Sequence, residues 1–476
     1  MRHKIVLIEP KAPNLHIFSA YPLPRLGNLI LGTLMKERGW EVEVIVEETR
    51  AIDYARLSSA DLVGLSTITS TAPRAYAIAD KIREAGIPVL MGGPHVTYLA
   101  DEALDHADFV IRGEAEEALM LFIDAWEGGR DYSEVPGLSY RRDGGVRHNP
   151  VRPMSWDLDR IPFPDFGLMG HDTVKSGHWK IVPVQTSRGC PFDCSFCSVT
   201  GMFGKKYRFR SIDNIIRELR RYDEPRTVVF FYDDNFAANP KHTKELLRAM
   251  IKEKFKFVWT TQVRADVARD LELVKLMKKA GCFTLFIGLE SVNPASLKSM
   301  KKQQTVAEIT RAVKVLRRHR IHVHGMFVLG FDDDDWQTAM NTVKFAKRAR
   351  LTSTQFLILT PLPGSEFYER IRRENRINFK DWTLYDAHHV VYQPVKFSLA
   401  ELQKAQFVSH KKFYSRLQIA KNFIEGKWTA FGLACYARRL NRLWKKKNKT
   451  FLRAVELLTP KLSAKITLDY KENIRL

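Results

Sequence analysis

Twice along this chain, short apolar runs alternate with stretches of helical period, and that alternation restricts the fold more than any other feature. Parallel strands need a helical crossover between them, and strands covered on both faces read as continuous apolar runs. Each series therefore predicts an α/β layer built on a parallel sheet. The first series runs KIVLI, LGNLILGTLMKERG, WEVEVIVE, a turn-rich stretch over 51–60, and DLVGLSTI. TAPRAYAIADKIREAG then carries Pro73 near its first turn and stops at Gly86, as a helix prefers. IPVLMGG, ADFVIRG and EAEEALMLFIDAWEGG complete the series. Residues 1–135 are expected to form a Rossmann-like, doubly wound sheet with ligands at the strand carboxyl ends, here Ser66–Thr67, Gly92–His95 and Arg112–Glu114.

Residues 136–178 break the rhythm with Pro136, Gly144–Gly145, Pro150, Pro153, Pro162 and Pro164, which predicts a small hairpin and an extended linker. The second series has six strands: IVPVQTS, RTVVFFYDD, KFVWTTQV, CFTLFIGLE, HVHGMFVLGF and STQFLILTPL. It predicts a partial (β/α)6 barrel over 179–375, with the active site on loops at the strand carboxyl ends. From 376 to 476 the pattern turns helical and basic.

A chain of 476 residues can bury several cores, and no apolar run reaches the roughly 18–20 residues needed to span a bilayer. MRHKIVLIEP reads as a strand rather than a signal peptide, so the expected location is the cytoplasm. The formal charge is +22, and residues 401–476 hold 18 Lys or Arg against 5 Asp or Glu. That excess favours an anionic partner such as a membrane surface, a phosphorylated substrate or a nucleic acid, without choosing among them; a solvated helical surface would look the same. Five cysteines are too few for a disulfide framework, and three crowd into eight residues, so ligation is expected.

Those three, Cys190, Cys194 and Cys197, lie in TSRGCPFDCSFCSV directly after the first barrel strand, spaced C-x3-C-x2-C. Three thiolates so spaced can wrap one face of an iron–sulfur cube, whereas structural zinc would want a fourth ligand nearby. Cys282 and Cys435 lie far off and read as incidental thiols.

The loop, with Phe196 as the aromatic before its last cysteine, resembles the radical S-adenosylmethionine (SAM) superfamily. The resemblance implies a [4Fe–4S] cluster on Cys190, Cys194 and Cys197 whose open iron chelates SAM. Reductive cleavage then gives a 5′-deoxyadenosyl radical that takes hydrogen from an unactivated carbon. An electron donor such as flavodoxin or ferredoxin is implied as a partner. Later strand ends match as well. Tyr232, Asp233 and Asp234 in FYDDNF correspond to the segment holding the methionine amino group. Gln262 and Arg264 in QVRAD, and Gly288, Glu290 and Ser291 in GLES, suit the ribose and sulfonium. His322 and His324, two apart on one strand, read as core or rim residues rather than a metal site.

The first domain carries neither G-x-G-x-x-G nor a Walker loop. It does carry YPLPRLGNL with Gly27, GLSTITS with Ser66 and Thr67, GGPH with Gly92, Gly93 and His95, and RGEAEEAL with Gly113 and Glu114. Placed before a radical SAM core, this set resembles the cobalamin-binding domain of the class B methylases, a group that includes hopanoid C-2 methylases and is similar to the anaerobic magnesium-protoporphyrin monomethyl ester cyclase. The resemblance implies that Gly92 and Gly93 let the backbone approach the corrin and that Glu114 accepts from its amides. The loop D-x-H-x-x-G is absent, so cobalamin is expected without a cobalt-ligating histidine. One SAM then supplies a methyl group through cobalamin while a second generates the radical.

The expected activity is methylation or remodelling of an unactivated carbon, with a lipid-like small molecule as substrate. That choice rests on Phe413, Tyr414, Phe423, Trp428, Phe431 and Trp444 lying among Lys and Arg, a pattern suited to peripheral contact with an anionic membrane. A ring-forming or carbon–carbon coupling enzyme that transfers no methyl group is a second reading. A tRNA-modifying enzyme is a third, against which stands the lack of a second cysteine trio, so nucleic acid is not an expected partner.

Overall fold

The computed structural model describes residues 2–14, 23–129, 131–170, 174–176 and 178–459. Tyr21 and Pro22 of the YPLPRLGNL segment, and the last 17 residues of the basic tail, lie outside them.

Five parallel strands open the chain: β1 (Lys4–Glu9), β2 (Glu41–Val46), β3 (Leu62–Ser66), β4 (Val89–Gly92) and β5 (Phe109–Ile111). Their order, β2-β1-β3-β4-β5, reverses direction between β1 and β3, which opens a crevice at the carboxyl ends there. The predicted hairpin forms as β6 (Leu138–Arg142) and β7 (Gly145–His148), but it does not stand apart in a linker. It pairs antiparallel onto β5 and widens the first sheet to seven strands. Turn residues such as Gly144–Gly145 predict a hairpin, whereas its docking depends on the free edge of a neighbouring strand.

The second sheet carries all six predicted strands. A short edge strand β8 (Val174–Ser176) precedes β9 (Trp179–Val184), and a two-residue pair, β10 (Ser187–Arg188) and β11 (Arg208–Phe209), brackets the cysteine loop. Then come β12 (Thr227–Phe231), β13 (Val258–Val263), β14 (Cys282–Glu290), β15 (His322–Leu329) and β16 (Ser353–Ile358), all parallel in the order β16-β15-β14-β13-β12-β9. This is an open half-barrel. Along β12, Thr227, Val229 and Phe231 are buried against the helices, while Val228 and Phe230 turn to the half-open interior. Crossover helices start where the sequence caps them: Ser211, Asn239, Thr305 and Asp335 each accept a first-turn backbone N–H.

One continuous apolar core joins Ile5, Leu7 and Leu29 of the first sheet through Leu158, Ile161 and Phe166 of the connecting segment to Val182, Val229 and Leu285 of the barrel. Helix Leu399–Phe413 covers β16, followed by helices Arg416–Ile424 and Trp428–Lys447. Three of the aromatic residues read as surface anchors are buried instead. Phe413 packs on Phe356, the Tyr414 hydroxyl bonds the Thr354 N–H at 2.8 Å and carbonyl at 2.6 Å, and Trp444 packs against His389. Among the described residues no helix is long and apolar enough to cross a membrane.

Candidate active site

The cysteine loop leaves β9 at the carboxyl end of the half-barrel. Cys190, Cys194 and Cys197 are free and half-buried. Burial is the largest influence on the Cys197 thiol and pushes it up to about 12, with the neighbouring thiols and Asp234 adding to it. Iron binding therefore has to displace a tightly held proton. No three His, Cys, Asp or Glu among the described residues lie close enough for a single metal ion. Three thiolates on one short loop, with Cys282 buried in β14 and Cys435 exposed on a tail helix, are the donor set of an iron–sulfur cube and lack the fourth ligand of a structural zinc site.

The loop is gripped from three sides. Arg264 stacks its guanidinium 3.7 Å over the Phe192 ring and donates to the Lys302 carbonyl. Ser195 donates its N–H to Met300 and accepts from Phe367. Phe196 packs edge-on against Phe331 at 6.2 Å. Arg264 is thus a buried positioning residue.

The two acids of FYDDNF have opposite roles. Asp233 is fully buried, and its carboxylate accepts from the Thr186 N–H and hydroxyl, both at 3.1 Å, and from the Ser187 N–H and hydroxyl, both at 2.5 Å. It clamps the end of β12 to the start of the loop and has no face left for an ammonium, which corrects the expectation for it. Asp234 and Tyr232 instead line open space. Tyr232 is 39% exposed, yet crowding by protein raises its phenol, within the field of Arg25 and Glu9 of the first domain. Burial, then Asp233, raises Asp234 to about 7. Gln262 is half-buried at the end of β13.

The fourth strand end is also largely committed. The register of β14 on β15 slips between Gly288 and Glu290, Glu290 takes φ of 58°, and its carboxylate meets the buried Lys302 ammonium at 2.8 Å. A Cβ on Gly288 would lie 2.4 Å from that carboxylate, so this glycine makes room for the ion pair. Ser291 is buried and accepts the Asn293 N–H.

On the first domain the structure separates the expected contacts. Gly27, at the amino end of helix Leu26–Glu37, has open space where a Cβ would be, Gly92 meets only the Ile111 carbonyl at 3.9 Å, and Ser66 is half-exposed. Gly27 and Ser66 lie where the β1 and β3 ends meet, with Arg25 giving its N–H to Glu9 at 2.8 Å and its guanidinium to the Ser66 carbonyl at 3.1 Å, and Gly92 ends β4; small residues with space beside them are what a flat corrin would need at these strand ends. The others hold the fold. Gly93, with φ of 102°, brings its Cα so near that a Cβ would sit 2.4 Å from the Thr67 carbonyl. Thr67 is buried and bonded to Gly92. Gly113 is buried, its N–H given to Thr97. The His95 ring is closed in by Trp382, 5.1 Å away edge-on, with Nε2 3.5 Å from Glu102. Glu114 is used at the domain seam, where Arg188 and Arg208 meet it at 2.9 and 2.8 Å and Arg188 meets Glu116 at 2.5 Å.

Sequence reasoning missed that seam. It also missed Tyr98, whose hydroxyl donates to the Ser198 carbonyl at 3.1 Å and whose ring fills the space over Gly201 and Gly364. The motif TSRGC held Arg188 in plain view, but nothing in it names a partner 74 residues upstream. The seam sets the carboxyl ends of the first sheet against the cysteine-loop end of the half-barrel.

Residues 184–346 match the radical SAM superfamily and residues 18–123 match the B12 binding domain. An uncharacterized methyltransferase of Pyrococcus horikoshii is 32% identical over 83% of this chain and 89% of its own length. Bacteriochlorophyllide d C-12(1)-methyltransferase of Chlorobaculum tepidum is 29% identical over 90% of each chain. Among solved structures, the cobalamin-dependent SAM radical enzyme OxsB shares the fold at 16% identity, with a TM-score of 0.70 over 99% of this chain and 81% of its own. The reading of a [4Fe–4S] cluster, SAM and cobalamin on one chain is thereby borne out, and the protein belongs to the cobalamin-dependent radical SAM methyltransferase family.

Proposed function

We propose that this enzyme methylates an unactivated carbon of a largely apolar small molecule of lipid or tetrapyrrole type. The observation that carries the reading is the seam that sets the carboxyl ends of the first sheet against the cysteine-loop end of the half-barrel, held by Arg188 and Arg208 on Glu114, Arg188 on Glu116 and Tyr98 on Ser198, with Tyr232 at the end of β12 in the field of Arg25 and Glu9. The tetrapyrrole arm draws support from the Chlorobaculum relative, whose name places methyl transfer on a bacteriochlorophyllide. When bound, the cluster and cobalamin supply one-electron cleavage of SAM and carriage of a methyl group.

The residues of this chain bring those groups into reach of one substrate. Cys190, Cys194 and Cys197 hold the cluster, and Tyr232, Asp234 and Gln262 face SAM. Gly27, Ser66 and Gly92 would admit the corrin, and the His95 ring is enclosed beside Trp382 with Glu102 at 3.5 Å. Phe230 and Phe286, 6.0 Å apart on the interior face of the half-barrel, with His324 4.8 Å beyond, offer an aromatic floor to an apolar substrate. A small acidic electron-transfer protein of the flavodoxin or ferredoxin type reduces the cluster, and the basic tail makes peripheral contact with anionic membrane.

The test is anaerobic reconstitution of the full chain with iron, sulfide and cobalamin. It is then turned over with methyl-deuterated SAM on lipid extracts and on chlorophyllide-type acceptors. A labelled product with equal amounts of 5′-deoxyadenosine and S-adenosylhomocysteine supports the reading, and each cysteine-to-alanine variant should yield neither labelled product nor deoxyadenosine. Deoxyadenosine with an altered but unlabelled product would replace it with the ring-forming reading.

A further inference from the structure

We propose that the helical hairpin Arg416–Lys447 is a membrane foot whose turn docks on an anionic lipid surface. The inference rests on the reading of the basic tail as membrane-facing and narrows it, because, of the six aromatic residues that the sequence suggests, Phe413, Tyr414 and Trp444 are buried, while Leu417 and Ile424 join Phe423 and Trp428 as exposed apolar side chains.

Arg438 donates to the Tyr414 carbonyl and Asn441 to the Phe407 carbonyl, so helix Trp428–Lys447 runs antiparallel to helix Leu399–Phe413. Its first ten residues pass beyond the end of that helix, a projection of about 15 Å at 1.5 Å per residue. Helix Arg416–Ile424 packs beside this projecting part. Here the exposed apolar side chains concentrate. Leu417 is 84%, Ile424 82%, Trp428 63% and Phe423 53% exposed. Leu417 and Ile424 lie two turns apart on one helix face. The rings of Phe423, Trp428 and Phe431 cluster with centroids 5.4 to 6.5 Å apart. Single exposed apolar residues are ordinary on a protein surface, whereas a contiguous group marks a contact.

Charge chooses the occupant. Between Lys411 and Lys447, eleven Lys or Arg face one acid, Glu425, and that acid is already paired with Lys427 at 2.5 Å and Lys421 at 3.8 Å. An anionic bilayer offers apolar depth for the four exposed side chains and negative charge for the surrounding cations, which is the pattern of an interfacial helix. The foot also points the right way. Tyr414 meets Thr354 at the amino end of β16, while Ile358 at the other end meets Ala387, so the hairpin leaves the half-barrel opposite the cysteine loop. Contact with a bilayer there leaves the reaction face uncovered. Thr459, the last described residue, bonds to Ala400 at the far end of helix Leu399–Phe413, away from the hairpin turn.

The experiment uses the full chain with vesicles of phosphatidylcholine alone and of equal parts phosphatidylcholine and phosphatidylglycerol, read by co-sedimentation at low and high salt. Wild type should pellet only with the anionic vesicles and be released by salt. Replacing Leu417, Ile424 and Trp428 together with Ser should weaken binding at least tenfold, and Lys445, Lys446 and Lys447 to Gln should weaken it less. Lipid-borne quenchers should dim a tryptophan signal that disappears in Trp428→Phe, a variant that still binds. If the triple Ser variant binds as wild type does, the hairpin is not the foot, although the tail remains membrane-facing. If wild type ignores anionic vesicles, both readings fall. If the same Ser variant instead abolishes a concentration-dependent dimer seen by light scattering without lipid, the patch is a self-interface and the proposal is overturned.

Discussion

Changing Arg188 to Ala asks whether ion pairs or apolar contact hold the two catalytic modules together. The substitution removes the cation that Glu114 meets at 2.9 Å and Glu116 at 2.5 Å, all three side chains being 6–7% exposed, and leaves two buried carboxylates facing Arg208 alone. Breaking a buried pair by deleting one partner costs about 3–5 kcal/mol. A direct estimate for unit charges about 4 Å apart at an effective dielectric near 20 gives about 4 kcal/mol, so the two routes agree. At roughly 2–4 °C per kcal/mol for a chain segment of domain size, the cofactor-free variant should melt roughly 6–20 °C below wild type in a calorimetric scan. The difference should persist in high salt, because buried pairs are little screened. Arg220→Ala, which breaks an exposed pair with Glu253, serves as the control and should melt with wild type. An Arg188→Ala protein that also melts with wild type would refute the argument and leave the seam to its apolar core.

Acid should weaken the tail's packing on the barrel. Burial pushes His324 and His410 down to about 4, so the folded protein keeps both neutral while the unfolded chain takes up protons near 6.5. Their stabilisation is complete above pH 6.5 and falls through the window from 6.5 to 4, by about 1.4 kcal/mol per pH unit for each ring. Urea midpoints at pH 7 and pH 5 should show this, and His410→Gln, which keeps an acceptor for the Phe356 N–H, should flatten the dependence by one histidine's share. Two glycine variants should separate cradle from scaffold. Gly93→Ala meets the Thr67 carbonyl at positive φ and should cost about 2–4 kcal/mol of stability, from strain and overpacking together. Gly27→Ala has open space and should leave thermal stability intact while lowering cobalamin retained after gel filtration; unchanged retention would remove Gly27 from the corrin crevice.

What was legible in the sequence is what is local. Apolar period two against period 3.6 marked five strands of the first sheet and six of the second, because side-chain alternation is fixed by backbone geometry within a few residues. The C-x3-C-x2-C spacing identified the cluster loop, since a chain that turns tightly between three thiolates can bring them to one cube. What the tertiary structure decided is which partner each polar group received. Asp233 and Asp234 are equivalent as letters, yet successive residues at a strand end point to opposite sides, so one is consumed by Thr186 and Ser187 while its neighbour is exposed. Glu114 suited a cofactor until Arg188 and Arg208 closed on it from the other module. Phe413, Tyr414 and Trp444 read as anchors beside Phe423 and Trp428, but helix Leu399–Phe413 buries the first two on β16 and His389 takes the third. Sequence separation hides such pairings, because the free energy of burying a charge or an aromatic ring depends on what lies across the interface and not on its neighbours along the chain.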